Sequence, residues 1–84
     1  MAYATYILQS RSSGRYYCGS TEDVERRVRQ HNDPEYTGSK TTKRFDGPWE
    51  LVWHNEHDTR SLAMQQEKQI KKRGIGRFLS DISR

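Results

Sequence analysis

Two polar residues at helical spacing, Arg27 and His31, could act together on a substrate in this chain of 84 residues. They lie four positions apart, so a helix would place both along one flank of the face that Val24 and Val28 turn to the core. An arginine and a histidine that reach one point can bind a charged group and exchange a proton. The alternative is an ordinary surface arginine and a histidine that the dipole favours at a helix C-terminus. Spacing alone leaves both interpretations open.

A carboxylate, Glu67, falls near a predicted apolar stripe. On a helical wheel Leu62, Ala63 and Ile70 form the buried stripe and Glu67 lies at its edge. A partly buried carboxylate needs a partner, because an unpaired one is destabilising or takes up a proton. Lys71, four residues on, could pair with it. A divalent cation such as Mg²⁺ is the alternative, because it is often held by one or two carboxylates with water and phosphate oxygens.

Two tyrosines, Tyr6 and Tyr17, lie in neighbouring strand-like segments. They could meet across the strand pair if the register places them on one face, although core packing is the common fate of a strand tyrosine. Two phenols, an arginine, a histidine and a carboxylate at one end of a sheet would supply a general base, an electrostatic clamp and a metal site. Those are the parts of a phosphodiester hydrolase.

The elements that must position these groups begin with a hairpin. Segments near 3–10 and 15–19 are rich in β-branched and aromatic residues, and the stretch SRSSGR between them supplies a polar turn with a glycine. The second strand then ends at residues that can cap a helix, Ser20 or Thr21, followed by acidic residues that the helix dipole favours. A helix is therefore expected from about 22 to 31.

A loop and a third strand follow. The chain from 35 to 48 has no clean periodicity and is expected to be a loop, with some helical turn as the alternative. The run WELVWHN predicts a strand with Trp49, Leu51 and Trp53 on one face. The two tryptophans are expected in the core, and stacking on bases is the alternative.

Two helices complete the predicted fold. Thr59 or Ser61 can cap a helix through SLAMQQEKQIKKR, which should end at Gly74. Apolar residues then recur at amphipathic spacing in a last helix, at Ile75, Phe78, Leu79 and Ile82. The order β-β-α-β-α-α predicts an α+β fold, with a small three-stranded, mainly antiparallel sheet flanked by helices.

Composition favours one small folded domain over residues 1–84. Hydrophobic residues make up only 31% of the chain, but nine aromatic side chains argue against disorder. No stretch reaches the roughly 18 to 20 apolar residues that cross a bilayer, and the N-terminus lacks the features of a signal peptide, so a soluble cytoplasmic protein is expected. The single cysteine, Cys18, cannot form an internal disulfide and is expected to be buried. A structural metal is not expected.

The charge distribution predicts an anionic partner. The formal net charge is +4, and residues 61–84 contain six basic and two acidic residues. A solvated helix face is the alternative explanation. A phosphate-contacting surface would give salt-dependent affinity without sequence choice. The residues that we assign to this surface are Lys40, Lys43 and Arg44 in the loop, and Lys71, Lys72, Arg73 and Arg77 nearer the C-terminus.

Short motifs recur in a fixed order along the chain. The run Ala4-Thr5-Tyr6 is followed eleven residues later by Tyr17-Cys18-Gly19. The order continues with Ser20-Thr21, Asp23-Val24-Glu25-Arg26-Arg27-Val28, His31-Asn32, Lys40-Thr41-Thr42-Lys43-Arg44, Pro48-Trp49-Glu50-Leu51-Val52, Arg60-Ser61-Leu62-Ala63 and Glu67-Lys68-Gln69-Ile70-Lys71. Over nearly the whole chain this set resembles the GIY-YIG nuclease family, especially its small stand-alone bacterial members. The ordered arginine, histidine and glutamate make the resemblance specific.

The resemblance implies a metal-dependent endonuclease that hydrolyses phosphodiester bonds in DNA, in repair or recombination. It gives Tyr6 and Tyr17 the places of the motif tyrosines, one of which helps to deprotonate the attacking water. Arg27 matches the arginine that stabilises the phosphate, and His31 a histidine that supports the tyrosine base. Glu67 matches the ligand of a single Mg²⁺ or Mn²⁺ ion. A phenol serves as a base near neutral pH only with positive charge nearby.

Three residues depart from the family motif. Ala4 and Thr5 replace glycine and isoleucine, and Cys18 replaces isoleucine; all three are expected to pack rather than react. Gly19 keeps the glycine, which suits the turn into the capped helix and a close phosphate approach.

Alternative functions and partners stay open at this stage. A non-catalytic nucleic-acid-binding module with the same fold is the first alternative, and a small interaction protein is the second. DNA is the expected partner, with room for a targeting protein, and the chain is expected to be a monomer or a weak dimer, with no membrane partner. The sequence does not define the structure or sequence of the nucleic acid.

Overall fold

A computed structural model describes residues 2–33 and 48–83 of the chain. The described part contains strands β1 (Tyr3–Ser10), β2 (Tyr16–Thr21) and β3 (Trp49–His57), and helices α1 (Val24–Asn32), α2 (Arg60–Arg73) and α3 (Ile75–Ile82). The predicted order β-β-α-β-α-α and the α+β class are confirmed. The basic residues predicted in the loop, Lys40, Lys43 and Arg44, lie outside the described residues.

The sheet is antiparallel throughout its described strands, in the order β2-β1-β3. β1 is therefore central, and six of its eight residues are buried, while Tyr3 and Gln9 are half-buried. The β1–β2 register pairs Tyr6 with Gly19 and Leu8 with Tyr17. Because side chains alternate along a strand, this register determines which side chains share a face.

A bulge in β3 corrects the prediction that Trp49, Leu51 and Trp53 share one face. The register pairs Ile7 with Trp53 but Leu8 with Leu51, so one extra residue of β3 lies between these pairs. An extra residue reverses the alternation of side chains beyond it. Trp49 and Leu51 accordingly pack on one face of the sheet, and Trp53 packs on the other.

Helices cover both faces of the sheet. On one face Tyr6, Leu8 and Trp49 form a buried cluster against which Val24 and Val28 of α1 pack. On the other face the buried cluster is formed by Ile7, Cys18 and Ile70, and the half-buried residues packed against it are Trp53, Ile75, Phe78 and Leu79. The rings of Trp53 and Phe78 meet edge to face at 4.8 Å between centroids. Both tryptophans therefore belong to the core, as predicted.

Helix α1 begins two residues later than predicted. Its N-cap is Asp23, whose side chain accepts a hydrogen bond from the backbone N–H of Arg26. We expected Ser20 or Thr21 as the cap, but both belong to β2. At the other end, the Asn32 side chain donates to the Trp49 carbonyl at 3.0 Å and accepts from the Trp49 N–H at 2.7 Å. This two-way contact fixes the end of α1 against β3.

Helix α2 is capped by Thr59, which accepts from the backbone N–H of Leu62, and it ends at Gly74 as predicted. Gly74 has a φ of 99°, which glycine adopts without strain. Ala63 and Ile70 are buried as expected, but Leu62 is 45% exposed, so its predicted place in the buried stripe is wrong. Within residues 2–33 and 48–83, no helix has the length and apolar character that crossing a membrane requires.

Candidate active site

The two motif tyrosines lie on the same face of the sheet. Tyr6 of β1 pairs with Gly19, and Tyr17 is two residues before Gly19 on β2, so the two side chains are diagonal neighbours. Their ring centroids are 6.2 Å apart. Both rings belong to the cluster that packs under α1. The register condition for a meeting of the two phenols is therefore met.

His31, in the last turn of α1, completes a group of three rings. Its Nε2 is 2.9 Å from the Tyr6 hydroxyl, a buried hydrogen bond. Its ring centroid is 4.8 Å from that of Tyr17 and 5.9 Å from that of Tyr6. His31 is 4% exposed and Tyr6 is 1% exposed, whereas Tyr17 is half-buried. Of the three rings, Tyr17 is thus the most accessible to solvent.

Burial keeps the hydrogen-bonded pair of Tyr6 and His31 uncharged. Loss of hydration raises the pKa of the Tyr6 phenol above its ordinary value of 10, Tyr17 adds to the rise, and the nearby Arg27 opposes it. Burial, together with the positive charge of Arg27, lowers the pKa of His31 from 6.5 to about 4. At neutral pH the pair is therefore a phenol and a neutral imidazole.

Arg27 lies one helical turn before His31 and points to the same region, as the spacing predicted. Its Nη1 donates to the Gln30 Oε1 at 2.8 Å, in a partly buried contact. The sequence analysis did not single out Gln30. Its position three residues after Arg27 was the available signal, because residues at i and i+3 are neighbours on a helix surface. Gln30 limits the directions in which the guanidinium can point.

Gly19 is required by the close approach of Tyr6. A Cβ atom at this position would lie 2.8 Å from the Tyr6 hydroxyl oxygen, 3.0 Å from Tyr6 Cζ and 3.1 Å from Tyr17 Cε1. The absence of a side chain lets the Tyr6 phenol cross over β2 and reach His31. We expected Gly19 to serve the turn into the helix, but Gly19 lies within β2, so that prediction is wrong. Its part in a phosphate approach stays a prediction, and the space for Tyr6 is a reason that its sequence position did not reveal.

Glu67 is not among these rings. It lies on α2 and accepts a hydrogen bond from Lys71 Nζ at 2.7 Å, so the predicted i, i+4 pairing is present. The Glu67 side chain is 23% exposed and that of Lys71 is 52% exposed. The pair lies beside β2, because it interacts electrostatically with two residues of that strand. Burial and, to a smaller extent, the charge of Glu67 raise the pKa of the Cys18 thiol to about 11. Tyr17 contributes to the raised pKa of Lys71.

A divalent cation could be held here by one protein carboxylate. Among the described residues, no three His, Cys, Asp or Glu side chains come together in a way that could hold a metal ion. Glu67 alone suits a hard cation that keeps several waters and takes its other ligands from phosphate oxygens. Its carboxylate is partly exposed and accepts a hydrogen bond from Lys71. The residues present therefore fit a site with a single protein ligand.

The predicted phosphate-contacting residues that the structure describes lie on the two C-terminal helices. Lys71, Lys72 and Arg77 are exposed. Arg73 is also exposed and forms a two-point ion pair with Asp81, with Nε–Oδ2 at 2.9 Å and Nη2–Oδ1 at 3.2 Å. Arg73 is therefore engaged within the protein, whereas Lys72 and Arg77 extend into solvent.

Comparison with known proteins assigns most of this chain to one family. The family model described as the GIY-YIG catalytic domain matches residues 2–74. This chain belongs to the GIY-YIG family. The resemblance inferred from the ordered motifs is confirmed, and residues 2–74 match the catalytic domain of this family.

Individual relatives support the same family assignment. A UPF0213 protein of Haloquadratum walsbyi is 47% identical over 66 residues, which are 79% of this chain and 70% of that protein. The structure-specific endonuclease subunit SLX1 of Homo sapiens is 33% identical over 79 residues, covering 73% of this chain and 29% of that protein. SLX1 homolog 1 of Trypanosoma cruzi is 32% identical over 95 residues, and the chain spans 18% of its length.

A solved structure of similar size has a fold similar to that of this chain. The solution NMR structure of the UPF0213 protein BH0048 from Bacillus halodurans matches with a TM-score of 0.57 and 29% identity, over 99% of this chain and 84% of that one. The departures from the GIY-YIG motif are all buried packing residues, as predicted: Ala4 is 4%, Thr5 0% and Cys18 1% exposed. Thr5 also donates from Oγ1 to the Ala63 carbonyl at 2.7 Å, which ties β1 to α2.

Proposed function

We propose that this GIY-YIG protein is a metal-dependent endonuclease that hydrolyses phosphodiester bonds in DNA, with residues 1–84 acting as one domain. The observation that supports the proposal best is the meeting of Tyr6, Tyr17 and His31 from three different elements, with Arg27 on the same helix as His31. A packed core does not require a phenol, an imidazole and a guanidinium at one point, whereas phosphoryl chemistry uses all three.

The two tyrosines have different roles in this proposal. Tyr17 is half-buried, so an attacking water molecule can reach its hydroxyl. Tyr6 is sealed from solvent and fixes the His31 ring through their hydrogen bond. The neutral His31 shares that hydrogen bond without taking up the proton, because burial lowers the pKa of His31 and raises that of Tyr6. Tyr17 therefore contacts the reacting water, and Tyr6 acts by positioning His31.

Arg27 and Glu67 supply the electrostatic part of the mechanism. Arg27, directed by Gln30, binds the scissile phosphate and stabilises the negative charge that grows in the transition state. Glu67 holds the divalent cation, Mg²⁺ or Mn²⁺. When bound, such a cation lowers the pKa of the attacking water and neutralises phosphate charge. Lys71, once released from Glu67, contacts nucleic-acid phosphate together with Lys72. Lys40, Lys43 and Arg44, which lie outside the described residues, are proposed to contact phosphate as well.

A second candidate function is a nucleic-acid-binding module that does not cleave. The Glu67–Lys71 ion pair favours it, because the carboxylate that should bind metal already has a partner at 2.7 Å. The two functions share the basic surface and differ in the need for Glu67. They therefore make opposite predictions for a variant at this position.

The biological setting is proposed by analogy with the relatives. Proteins named structure-specific endonuclease subunit SLX1 are among them, which supports a DNA substrate and a role in repair or recombination. Because the word subunit describes those relatives as parts of complexes, we propose that a targeting protein delivers this nuclease to its substrate. A cytoplasmic location and a monomeric or weakly dimeric state remain predictions.

The deciding experiment is a cleavage assay with plasmid, branched and single-stranded DNA in Mg²⁺ or Mn²⁺, with RNA as a comparison. Arg27→Ala and Glu67→Ala are compared with wild type. Matched controls are Arg29→Ala and Glu50→Ala, which remove exposed residues of the same type from α1 and β3. We expect cleavage that requires the metal, about 100-fold or more slower in both site variants and unchanged in the controls.

Two outcomes would redirect the assignment. Salt-sensitive binding without cleavage, unaffected by Glu67→Ala, would establish the binding module instead. Cleavage that persists in both site variants would mean that another set of residues performs the chemistry. A far-ultraviolet circular dichroism spectrum of each variant shows whether a loss of activity reflects unfolding.

A further inference from the structure

A groove of about 420 Å³ lies at the edge of the sheet formed by β2, between α1 and α2. It is open to solvent. Its lining includes Ser20 and Thr21 of β2, Arg26 and Arg27 of α1, and Arg60 and Met64 of α2. The lining therefore includes Arg27, the arginine assigned to the scissile phosphate, and extends to Arg60 at the start of α2.

The groove brings together three guanidinium groups from two helices. Arg26 and Arg27 are adjacent on α1, and Arg60 is the first residue of α2. Two acidic residues, Glu22 and Asp23, also line the groove. The Asp23 carboxylate is engaged as the N-cap of α1, where it accepts from the Arg26 backbone N–H at 3.1 Å. The open side of the groove thus has more positive than negative charge available to a ligand.

Arg60 is held in the groove by an aromatic contact. Its guanidinium carbon is 5.6 Å from the centroid of the Tyr3 ring, and Tyr3 also lines the groove. This is the range of a cation–π interaction, which orients the planar guanidinium without consuming its hydrogen-bond donors. Guanidinium donors in a fixed plane match phosphate oxygens in a two-point contact. Tyr3 therefore keeps Arg60 in place with its donors available to an anion.

We propose that this groove binds the nucleic-acid strand next to the scissile phosphate, with Arg60 and Arg26 contacting phosphates beside the one that Arg27 contacts. The proposal rests on the nuclease function proposed above. The ligand is a chain of phosphodiesters, because the groove is open, lined by guanidinium and hydroxyl groups, and continuous with Arg27. Contacts of this kind position the strand and do not read its sequence.

The test compares Arg60→Gln and Arg26→Gln with the control Arg29→Gln, which removes the same charge from an exposed position of α1 outside the groove. Binding of a DNA oligonucleotide is measured in EDTA over a range of salt concentrations, and cleavage kinetics are measured with the metal. For each groove variant we expect Kd and KM to rise about three- to tenfold, with kcat within twofold of wild type. The slope of log Kd against log salt concentration should fall by about 0.7 to 0.9 for each lost contact.

A second pair of variants tests the role of Tyr3. Tyr3→Phe keeps the ring under Arg60, and Tyr3→Leu removes it. We expect Tyr3→Phe to bind like wild type, and Tyr3→Leu to bind at least twofold more weakly at an unchanged salt slope, because the charge of Arg60 is still present. Thermal unfolding of both variants shows whether Tyr3→Leu also loses stability.

The results separate this proposal from the function on which it rests. If wild type binds and cleaves DNA while Arg60→Gln and Arg26→Gln match Arg29→Gln in Kd and in salt slope, the strand does not use the groove and the nuclease function stands. A lower kcat without a change in Kd would also overturn the groove assignment. If wild type neither binds nor cleaves any nucleic acid, the proposed function fails, and the groove assignment fails with it.

Discussion

The buried, neutral His31 makes the stability of the protein depend on pH between about 4 and 6.5. Its pKa is lowered to about 4 in the folded state, against 6.5 for an exposed imidazole. Below pH 6.5 the unfolded chain therefore binds a proton that the folded chain does not. The free energy of unfolding must fall as the pH falls from 6.5 toward 4, and it must be level with respect to this group above pH 7.

The size of the effect follows from the two pKa values. A difference of one pKa unit corresponds to about 1.4 kcal/mol. With folded and unfolded values of about 4 and 6.5, the free energy of unfolding should fall by about 2 kcal/mol between pH 7 and pH 5, and by about 3 kcal/mol at pH 4. Ordinary carboxyl groups titrate near pH 4, so they contribute little between pH 7 and pH 5. In that window the difference between wild type and a His31 variant isolates the contribution of this histidine.

The assay is equilibrium unfolding in urea at pH 7, 6 and 5, for wild type, His31→Gln and His54→Gln. His54 is exposed on β3, so its replacement should leave the fall of about 2 kcal/mol intact. His31→Gln cannot titrate at this position, and its free energy of unfolding should change with pH only by the remainder that other groups contribute. Its stability at pH 7 is expected to be lower than that of wild type, because the replacement changes a buried contact with Tyr6.

Two results would refute this reasoning. One is a wild-type free energy of unfolding that does not change between pH 7 and pH 5. The other is a His31→Gln variant that loses as much stability over this range as wild type does. In either case the imidazole would be accessible to protons in the folded protein, and the description of Tyr6 and His31 as a sealed neutral pair would be wrong.

Two further predictions concern the parts that hold this pair in place. Gly19→Ala should lower the free energy of unfolding by about 1–3 kcal/mol and slow cleavage, because its Cβ would lie 2.8 Å from the Tyr6 hydroxyl oxygen. Its control is Gly76→Ala within α3, which should stabilise that helix slightly. Asn32→Ala should reduce the free energy of unfolding in urea by about 1–3 kcal/mol, because the backbone N–H and carbonyl of Trp49 lose their side-chain partner; equal stability of variant and wild type would contradict this account.

The sequence predicted the order of the elements because each has local signals of its own. The hairpin has its turn composition, α2 its cap at Thr59 and its stop at Gly74, and α3 its apolar spacing. Such signals depend on residues a few positions apart. The α+β class then followed from the order, since a hairpin and a third strand with helices between and after them have few ways to pack.

The parts that were wrong depend on the partner of a residue rather than on its neighbours. The face of Trp53 is reversed by a bulge that arises only when β3 pairs with β1. Leu62 is exposed because α2 turns a narrow stripe, centred on Ala63 and Ile70, to the sheet. The need for Gly19 likewise appears only when the register places Tyr6 opposite it.

The candidate site shows the same division. The spacing of Arg27 and His31 on one helix predicted their shared flank, and the motif tyrosines predicted a meeting that the register provides. The neutral state of Tyr6 and His31 could not be predicted, because it depends on how completely α1 covers the sheet. A phenol and an imidazole at the surface would keep their ordinary pKa values.

The ion pair of Glu67 and Lys71 decides little by itself, because pairs of this kind are weak. An exposed glutamate–lysine pair at i, i+4 contributes about 0.3–0.5 kcal/mol, and Lys71 is 52% exposed. A divalent cation that displaced Lys71 would therefore lose at most about a factor of two in affinity to the competition. Removing the Lys71 charge should strengthen metal binding by at least that factor. The ammonium group would no longer compete for the Glu67 carboxylate, and it would no longer repel the cation.

This leads to a prediction that separates a metal ligand from a structural ion pair. In the absence of nucleic acid, Lys71→Gln should lower the Kd for Mn²⁺ about twofold or more, measured by calorimetry or by the paramagnetic signal of the free ion. Glu67→Gln should abolish that binding, and Lys68→Gln, which removes an exposed charge from the same helix, should leave it nearly unchanged. Equal Mn²⁺ binding by wild type and Glu67→Gln would mean that the carboxylate serves only to hold Lys71, and the non-cleaving module would then be the better account of this chain.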